Sequence, residues 1–394
     1  MSNNYKTYGG NIKLMKKINR QLILNTIFDT PDQSSAKIAR KYKLQRSTVA
    51  NIVNELIKEG HVRVSGIGHS TRGGGKPPTL LELNPDYGFI IGVEILPLEI
   101  RVVLMNYKSD IIFRERYNYK SPLNEDNLIP QIINIVGLIK GKYQLEDKNI
   151  LGMGLGISGL VNYDKGLIYY SLGLNISDYP IVRLLKKYFK FPIYIDNDAN
   201  VAALAEHWFG KAKNLGNIIF ISINEEVTGV GCGLIFDQEL YRGSSRSAGE
   251  LPFSLPTVTQ ILKEEGYAKF SQIEQLAKAQ NKNVIQFLCQ NPEADWAKIV
   301  FDKLGRMLGE EIARIINFVN PEIVILGGEI SKTAQHLLGP INTYLNQHVL
   351  EIQRKAVNLS TTSFGLFAVS VGAAVLIFKK MFKTMKNGYR IEQI

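Results

Sequence analysis

Cysteine is nearly missing from this chain: 394 residues contain two, Cys232 and Cys289. Neither belongs to a CxxC pair, which argues against a disulfide framework and against a cysteine-rich zinc site. Long apolar runs are missing as well. No stretch approaches the ~20 consecutive apolar residues of a membrane span. Residues Met1 to Gly10 are polar and lack the apolar core of a secretory signal. The five histidines (His61, His69, His207, His336 and His348) show no metal-ligand spacing. Together these absences suggest a cytoplasmic protein without disulfides, membrane spans or a structural metal. With 45% hydrophobic and 21% charged residues the chain is neither disordered nor fibrous, and its length calls for two or three domains.

Acidic residues are scarce in one place only. Residues 1–80 hold 14 Lys and Arg but just four acids, Asp29, Asp32, Glu55 and Glu59. The remaining 33 basic and 32 acidic residues nearly balance, so almost all of the net charge of +11 sits in the first fifth of the chain. A localised basic domain suits a polyanion, because each phosphate it neutralises releases a condensed counterion. A basic surface kept for solubility would look the same by charge alone.

Pattern within that region separates the two readings. Leu22, Ile23 and Ile27 give Asn19 to Phe28 one buried helical face, and Asp29-Thr30-Pro31-Asp32 breaks it. Ser34 or Ser35 can cap a short helix, Ala36 to Tyr42. Lys43-Leu44-Gln45 is a tight turn. Arg46 to Lys58 follows as a longer helix with Val49, Ile52, Val53, Leu56 and Ile57 on one stripe, closed by Gly60. Its other face carries small or hydrogen-bonding side chains. A short helix, a turn and a second helix with a polar, nearly acid-free start make a helix-turn-helix, whose second helix meets base edges in the major groove. Gln45, Arg46, Ser47, Thr48 and Asn51 are the candidate DNA-contacting residues. His61–Ser65 and Thr79–Leu83 then predict a hairpin around a glycine-rich loop, a wing whose Arg72 and Lys76 would reach phosphate or the minor groove.

From Gly88 the texture becomes α/β. Gly88–Leu96, Glu99–Tyr107 and Ile111–Tyr119 predict three consecutive strands, Leu128–Ile139 a helix, and Ile150–Ser158 a buried strand. Ser158 to Tyr169 reads as a strand-turn-strand. Pro192–Asp196 runs into a helix, Asn200–Phe209. Asn217–Asn224 and Thr228–Phe236 form a second strand set, followed by helical stretches over Val258–Leu288. Trp296–Asn317 predicts a long amphipathic helix, and Glu322–Leu326 a strand ending in Gly327-Gly328. Two strand-then-helix halves imply two lobes with a ligand cleft between them.

The segments GGGKPPTLLELNPDYGFIIGVEI (Gly73–Ile95), IDNDANVAALAEHWFG (Ile195–Gly210), GVGCGLIFDQELYRGSSRSAGE (Gly229–Glu250) and NPEIVILGGEI (Asn320–Ile330) resemble, in order, the motifs of the ROK family of repressors and sugar kinases. The resemblance covers nearly the whole chain. It implies a winged helix-turn-helix followed by a two-lobed, actin- and hexokinase-like (ASKHA, ribonuclease H-like) ROK domain. The expected boundaries are 1–83 for the DNA-binding domain, 84–197 with 371–394 for the smaller lobe, and 198–370 for the larger. By the same resemblance Asp198 matches the kinases' general base and Asn197 a sugar ligand, and Glu250 is a further hydroxyl acceptor. The glycine run from Thr228 to Gly233 matches the second phosphate loop, although strand glycines also mark close packing.

Departures from the family pattern carry as much weight. The family's first phosphate loop, D-x-G-G-T, reads Glu94-Ile95-Leu96-Pro97-Leu98 here, so both glycines and the threonine are lost. Phosphoryl transfer depends on positioned donors and cations, and this loop does not supply them. Glu329 replaces a glycine of the adenosine-side LGGG motif. Phe253 stands where the family's histidine ligates zinc and touches sugar, and no cysteine or histidine follows it through Phe270. Gly173 stands where an asparagine contacts sugar. The expectation is a regulator rather than an enzyme, without a metal or nucleotide cofactor. It binds a double-stranded, pseudo-palindromic operator as a homodimer and senses a sugar or related metabolite through Asn197, Asp198 and Glu250. An active sugar kinase with an added DNA-binding domain, and a regulator whose cleft binds nothing, are the alternatives.

Overall fold

The structure is a computed structural model and describes residues 12–69, 77–223, 230–251, 256–280 and 284–382. It comprises two compact units: Met1–Ile90 with Met105–Ile112 and Ile377–Ile394, and Ile91–Leu104 with Phe113–Leu376.

The first unit opens with helices α1 (Ile12–Asp29), α2 (Ser35–Lys41) and α3 (Arg46–Lys58). Helix α1 begins seven residues before the predicted start at Asn19. In the added turns Leu14 and Ile18 are half-buried and Lys16 pairs with Glu55 at 2.6 Å, and Arg20 further along pairs with Glu59. Ser34 caps α2 by accepting from Lys37 N. In α3 the stripe Val49, Ile52, Val53 and Leu56 is fully buried, as are Ile23, Ile27 and Ile38 of the other two helices. Each such side chain contributes roughly 1.5–3 kcal/mol on burial. Gly60 takes φ +84° and ends α3, a conformation that a side chain would strain. Strands β1 (Val62–Ile67) and β2 (Thr79–Leu83) pair antiparallel, and Gln33 bridges Leu81 at the edge. His61, Tyr87, Tyr107 and Phe382 form a ring cluster, with centroids 4.0 Å apart for His61–Tyr87 and 5.3 Å for Tyr107–Phe382.

The second unit is built on two sheets. Strands β3 (Phe89–Ile95), β4 (Glu99–Asn106) and β5 (Ile111–Asn118) follow in sequence, then helix α4 (Leu128–Tyr143) and strand β6 (Ile150–Ile157). Strands β7 (Leu160–Asn162), β8 (Leu167–Ser171) and β9 (Ile176–Tyr179) make a small antiparallel sheet, so the predicted strand-turn-strand gains a third strand. Helix α5 (Ile181–Leu185) leads to β10 (Ile193–Asn197) and α6 (Asp198–Phe209). The first sheet has the order β10-β6-β3-β4-β5, with β10 and β6 parallel.

The second sheet comes from β11 (Ile218–Ile223), β12 (Val230–Phe236), β13 (Glu239–Tyr241) and β14 (Glu250–Leu251), then from later strands after the helices α7 (Val258–Glu264), α8 (Phe270–Ala279), α9 (Val284–Gln290) and α10 (Asp295–Val319). Strand β15 (Ile323–Gly328), helices α11 (Ala334–His348) and α12 (Glu351–Ala356), strand β16 (Asn358–Thr361) and helix α13 (Ala368–Met381) complete it. Its order is β13-β12-β11-β15-β16, with β14 paired to β12. Against it packs a core of Val300, Leu304, Leu308 and Ile312 from α10 with Leu337, Ile341 and Leu345 from α11. Three glycines seat α13. A Cβ on Gly92 would lie 1.9 Å from Ser370 O, one on Gly154 1.8 Å from Ala373 O, and one on Gly372 1.7 Å from Val201 O. No helix among the described residues is long and apolar enough to cross a membrane.

Candidate DNA-binding face and ligand cleft

In the first unit the turn between α2 and α3 is made by Lys43 at φ +53°, and Leu44 N donates to Ala39 O at 2.9 Å. The turn exposes Gln45, Arg46, Ser47, Asn51 and Asn54 on one side of α3, with Thr48 half-buried. Gln45 occupies the cap position without a side-chain hydrogen bond, and the first turn holds no acid. Backbone N–H groups and the positive end of the helix dipole therefore stay available to an anion. Beside them lies a recess of about 310 Å³ lined by Arg40, Lys43 and Arg46. Polar side chains for base edges and a cationic shoulder for phosphate are thus adjacent. The predicted wing cations Arg72 and Lys76 lie outside the described residues.

Two of the candidate ligand residues of the second unit, Asn197 and Asp198, lie where β10 meets α6. Asn197 caps α6: its Oδ1 accepts from Asn200 N at 3.2 Å, while its Nδ2 donates to Gly159 O at 3.2 Å. Asp198, the first helical residue, is buried and accepts from its neighbour Ala199 N. Desolvation pushes its carboxyl up to about 7, and the nearby Glu250 carboxylate pushes the same way. Glu250 lies on β14, with its carboxyl raised by partial burial. Asp196 fastens the segment by accepting from Asn197 N, Asn200 Nδ2 and the Arg242 guanidinium. Arg242 in turn lies 4.1 Å over the Tyr163 ring. A carboxyl near its own midpoint at neutral pH can both donate to and accept from a hydroxyl.

The glycines of β12 serve packing. A Cβ on Gly233 would sit 2.2 Å from Ala199 O, and Gly231 faces the Ala199 methyl at 3.2 Å, so these residues let α6 lie close to the second sheet. Gly249, at φ +95°, presses against Cys232 O in the same way. Residues 224–229 and 252–255, with Thr228, Gly229 and Phe253, lie outside the described residues. Gly173 packs on Pro97, which would be 2.7 Å from an added Cβ.

Residues 94–98 do not form a phosphate cradle. Leu96 N donates to Glu99 O at 2.9 Å, Pro97 O accepts from Leu123 N at 2.7 Å, and Leu98 O accepts from Tyr119 N at 2.8 Å. Behind the loop sits Arg101, with 1% of its surface exposed, among Glu94, Glu99 and Glu329. Sequence reasoning overlooked Arg101. The available signal was the alternation Glu99-Ile100-Arg101 inside an otherwise apolar strand. Among the described residues no group of three or more His, Cys, Asp or Glu side chains is arranged to hold a metal ion.

Residues 90–256 and 257–380 match the description "ROK family", and residues 17–63 match "Winged helix-turn-helix DNA-binding". The chain belongs to the ROK family. Its ROK domain follows an N-terminal winged helix-turn-helix, the architecture of that family's transcription regulators, and it is such a regulator rather than an enzyme. The chain is 27% identical to the xylose repressor of Caldicellulosiruptor bescii over 94% of this chain and 98% of that one. It is 24% identical to the transcriptional dual regulator NagC of Escherichia coli over 98% and 97%. Among solved structures, a ROK family transcriptional regulator homologous to the E. coli MLC protein superposes with a TM-score of 0.73 at 20% identity, covering 93% of this chain and 97% of that one. A ROK family glucokinase from Streptomyces griseus, in complex with glucose and AMPPNP, superposes with a TM-score of 0.62 at 19% identity, covering 73% and 99%. These last two likenesses establish the fold, a hexokinase-like ROK domain.

Proposed function

We propose that this ROK regulator represses transcription in the cytoplasm by binding a pseudo-palindromic operator as a homodimer, and that a sugar or related polyhydroxylated metabolite in its cleft controls that binding. The observation that carries the DNA half is the exposed, acid-free start of α3 beside the Arg40–Lys43–Arg46 recess. Gln45, Arg46, Ser47, Thr48 and Asn51 contact the operator, and Arg72 and Lys76 of the wing hold phosphate. A two-fold dimer places two such helices one turn of DNA apart.

For the cleft, support comes from Asp198, buried at a strand-to-helix junction and able to share hydroxyl protons, with Asn197 and Glu250 beside it. The name of one relative, the xylose repressor, favours a sugar as the effector. The lobes are taken as 84–197 with 371–394, and 198–370, after a DNA-binding domain of 1–83. Ligand would act by preferring one lobe orientation, since only a differential affinity moves such an equilibrium.

A second reading, a cleft that binds no small molecule, is favoured by one observation: both ends of the Asn197 amide are already engaged, with Asn200 N and Gly159 O. A thermal-shift screen of the full chain against pentoses, hexoses and amino sugars separates the two. A rise in melting temperature with one sugar, abolished in Asp198→Ala, supports sensing. No rise with any sugar, in a protein that still binds its operator, would leave only the second reading.

A further inference from the structure

Arg101 has no counterpart in the chemistry described so far. It stands on β4 in the first sheet, yet its guanidinium reaches the second. Nε and Nη2 donate to Glu99 Oε2 at 3.1 and 2.8 Å. Nη2 also donates to Glu329 Oε1 at 3.2 Å, just beyond the end of β15. Nη1 faces the Glu94 carboxylate at 3.4 Å and donates to Leu366 O at 3.3 Å, in the segment joining β16 to α13. A guanidinium has five N–H donors, and here all five have acceptors. Arg116 closes the set by pairing with Glu99 from β5.

Burying a guanidinium and three carboxyl groups is costly unless the geometry satisfies every donor. Acceptors drawn from one sheet alone could supply that. This cluster instead spends two of its contacts, Glu329 and Leu366 O, on the far side. Both carboxylates that the chain carries at departures from the kinase pattern, Glu94 and Glu329, converge on this one side chain. A nucleotide polyphosphate arriving here would meet three carboxyl groups and a guanidinium with no donor left. The adjacent loop has committed Leu96 N to Glu99 O. The residues present therefore do not fit a nucleotide or its metal, although the S. griseus glucokinase of the same fold holds AMPPNP.

We propose that Arg101 is a resident cation that ties the first sheet of the ROK domain to the second through Glu94 and Glu329, so that the domain closes without nucleotide and excludes it. The altered loop residues are then a replacement for the nucleotide, not a remnant of it. Arg101 is a positioning residue: it sets the spacing of the two halves whose edges carry the ligand cleft.

Removing Arg101 would leave its carboxylates buried without a partner and endanger the fold, so Glu329→Gln carries the test. Glu329 is partly exposed, and glutamine keeps its shape. Spin labels at Lys142 on α4 and Lys298 on α10, in a full-length Cys289→Ser background, report the distance between the halves. In the parent protein we expect one narrow distance distribution, unchanged by millimolar magnesium AMPPNP. In Glu329→Gln, loss of one charge-assisted contact should raise the open-to-closed ratio by about tenfold, read as a new longer-distance population. Glu329→Gly, which removes the reach altogether, should do the same with circular dichroism unchanged. A shift of the parent distribution on adding AMPPNP would overturn the proposal. So would unchanged distributions in both folded variants.

Discussion

Replacing Asp198 with asparagine isolates the energetic cost of keeping a buried carboxyl at the start of α6. The side chain is 6% exposed, and burial lifts its carboxyl from 3.8 to about 7. Between these values the folded protein binds a proton that the unfolded chain has released, so stability falls as pH rises from about 4 to about 7 and the deficit is complete above that. A difference of roughly three pKa units corresponds to about 4 kcal/mol at most, and local relaxation brings the expected range to about 2–4 kcal/mol. Asparagine keeps the Oδ1 acceptor for Ala199 N but has no charge to desolvate. Asp198→Asn should therefore melt at the parent's temperature near pH 4 and roughly 4–8 °C higher at pH 8. Calorimetry of both proteins from pH 4 to 8 provides the comparison. A variant that is less stable at pH 8, or a difference that does not change with pH, would refute the reasoning. Either result would mean that the carboxylate is ionised in the folded protein and stabilised by neighbouring donors.

Other expectations follow from packing and charge. Gly154→Ala would drive a methyl into Ala373 O, 1.8 Å from the ideal position. It should lower stability by about 1–3 kcal/mol or more, and urea titration of the full chain reads this directly. Leu56→Ala, at the fully buried centre of the three-helix core, should cost about 2–5 kcal/mol. Local unfolding of α3 by hydrogen exchange should accelerate while the ROK domain stays protected. Lys43→Ala with Arg40→Ala should weaken binding to every duplex and flatten the salt dependence by about 0.9 per lost phosphate contact. An unchanged slope would remove the recess from the interface. Asn51→Ala should instead redistribute sequence preference, with about 1–3 kcal/mol lost on the preferred base, as read by competition binding.

Much of this architecture is legible in the sequence because local signals agree with the tertiary contacts. The stripe Val49–Ile52–Val53–Leu56 and the positive-φ glycine after it place α3 to the residue. The start of α1 is not legible that way, because its first turns carry no regular apolar stripe, and a contact such as Lys16–Glu55 joins residues 39 positions apart. Helix α6 starts at Asp198 rather than at the predicted Asn200, because the backbone of its cap, Asn197, is still extended where β10 ends and turns helical at the next residue. Helices α11 and α13 follow tertiary close approach: Gly305 faces Pro340, and Gly92, Gly154 and Gly372 seat α13. In sequence these glycines look like ordinary breaks. Arg101 was hidden for a related reason. A charged residue inside an apolar strand has meaning only when its partners are known, and one of them lies 228 positions on.

Whether the chain reads DNA sequence decides the role of its N-terminal unit. Selection of duplexes from a random library by the full-length protein, at near-physiological salt, measures this in one experiment. We predict enrichment of an inverted repeat with half-sites about one helical turn apart, and loss of its most constrained base pair in Asn51→Ala. Retention of duplexes without sequence enrichment, equal for parent and variant, would contradict it and reduce the basic N-terminal unit to a nonspecific polyanion surface.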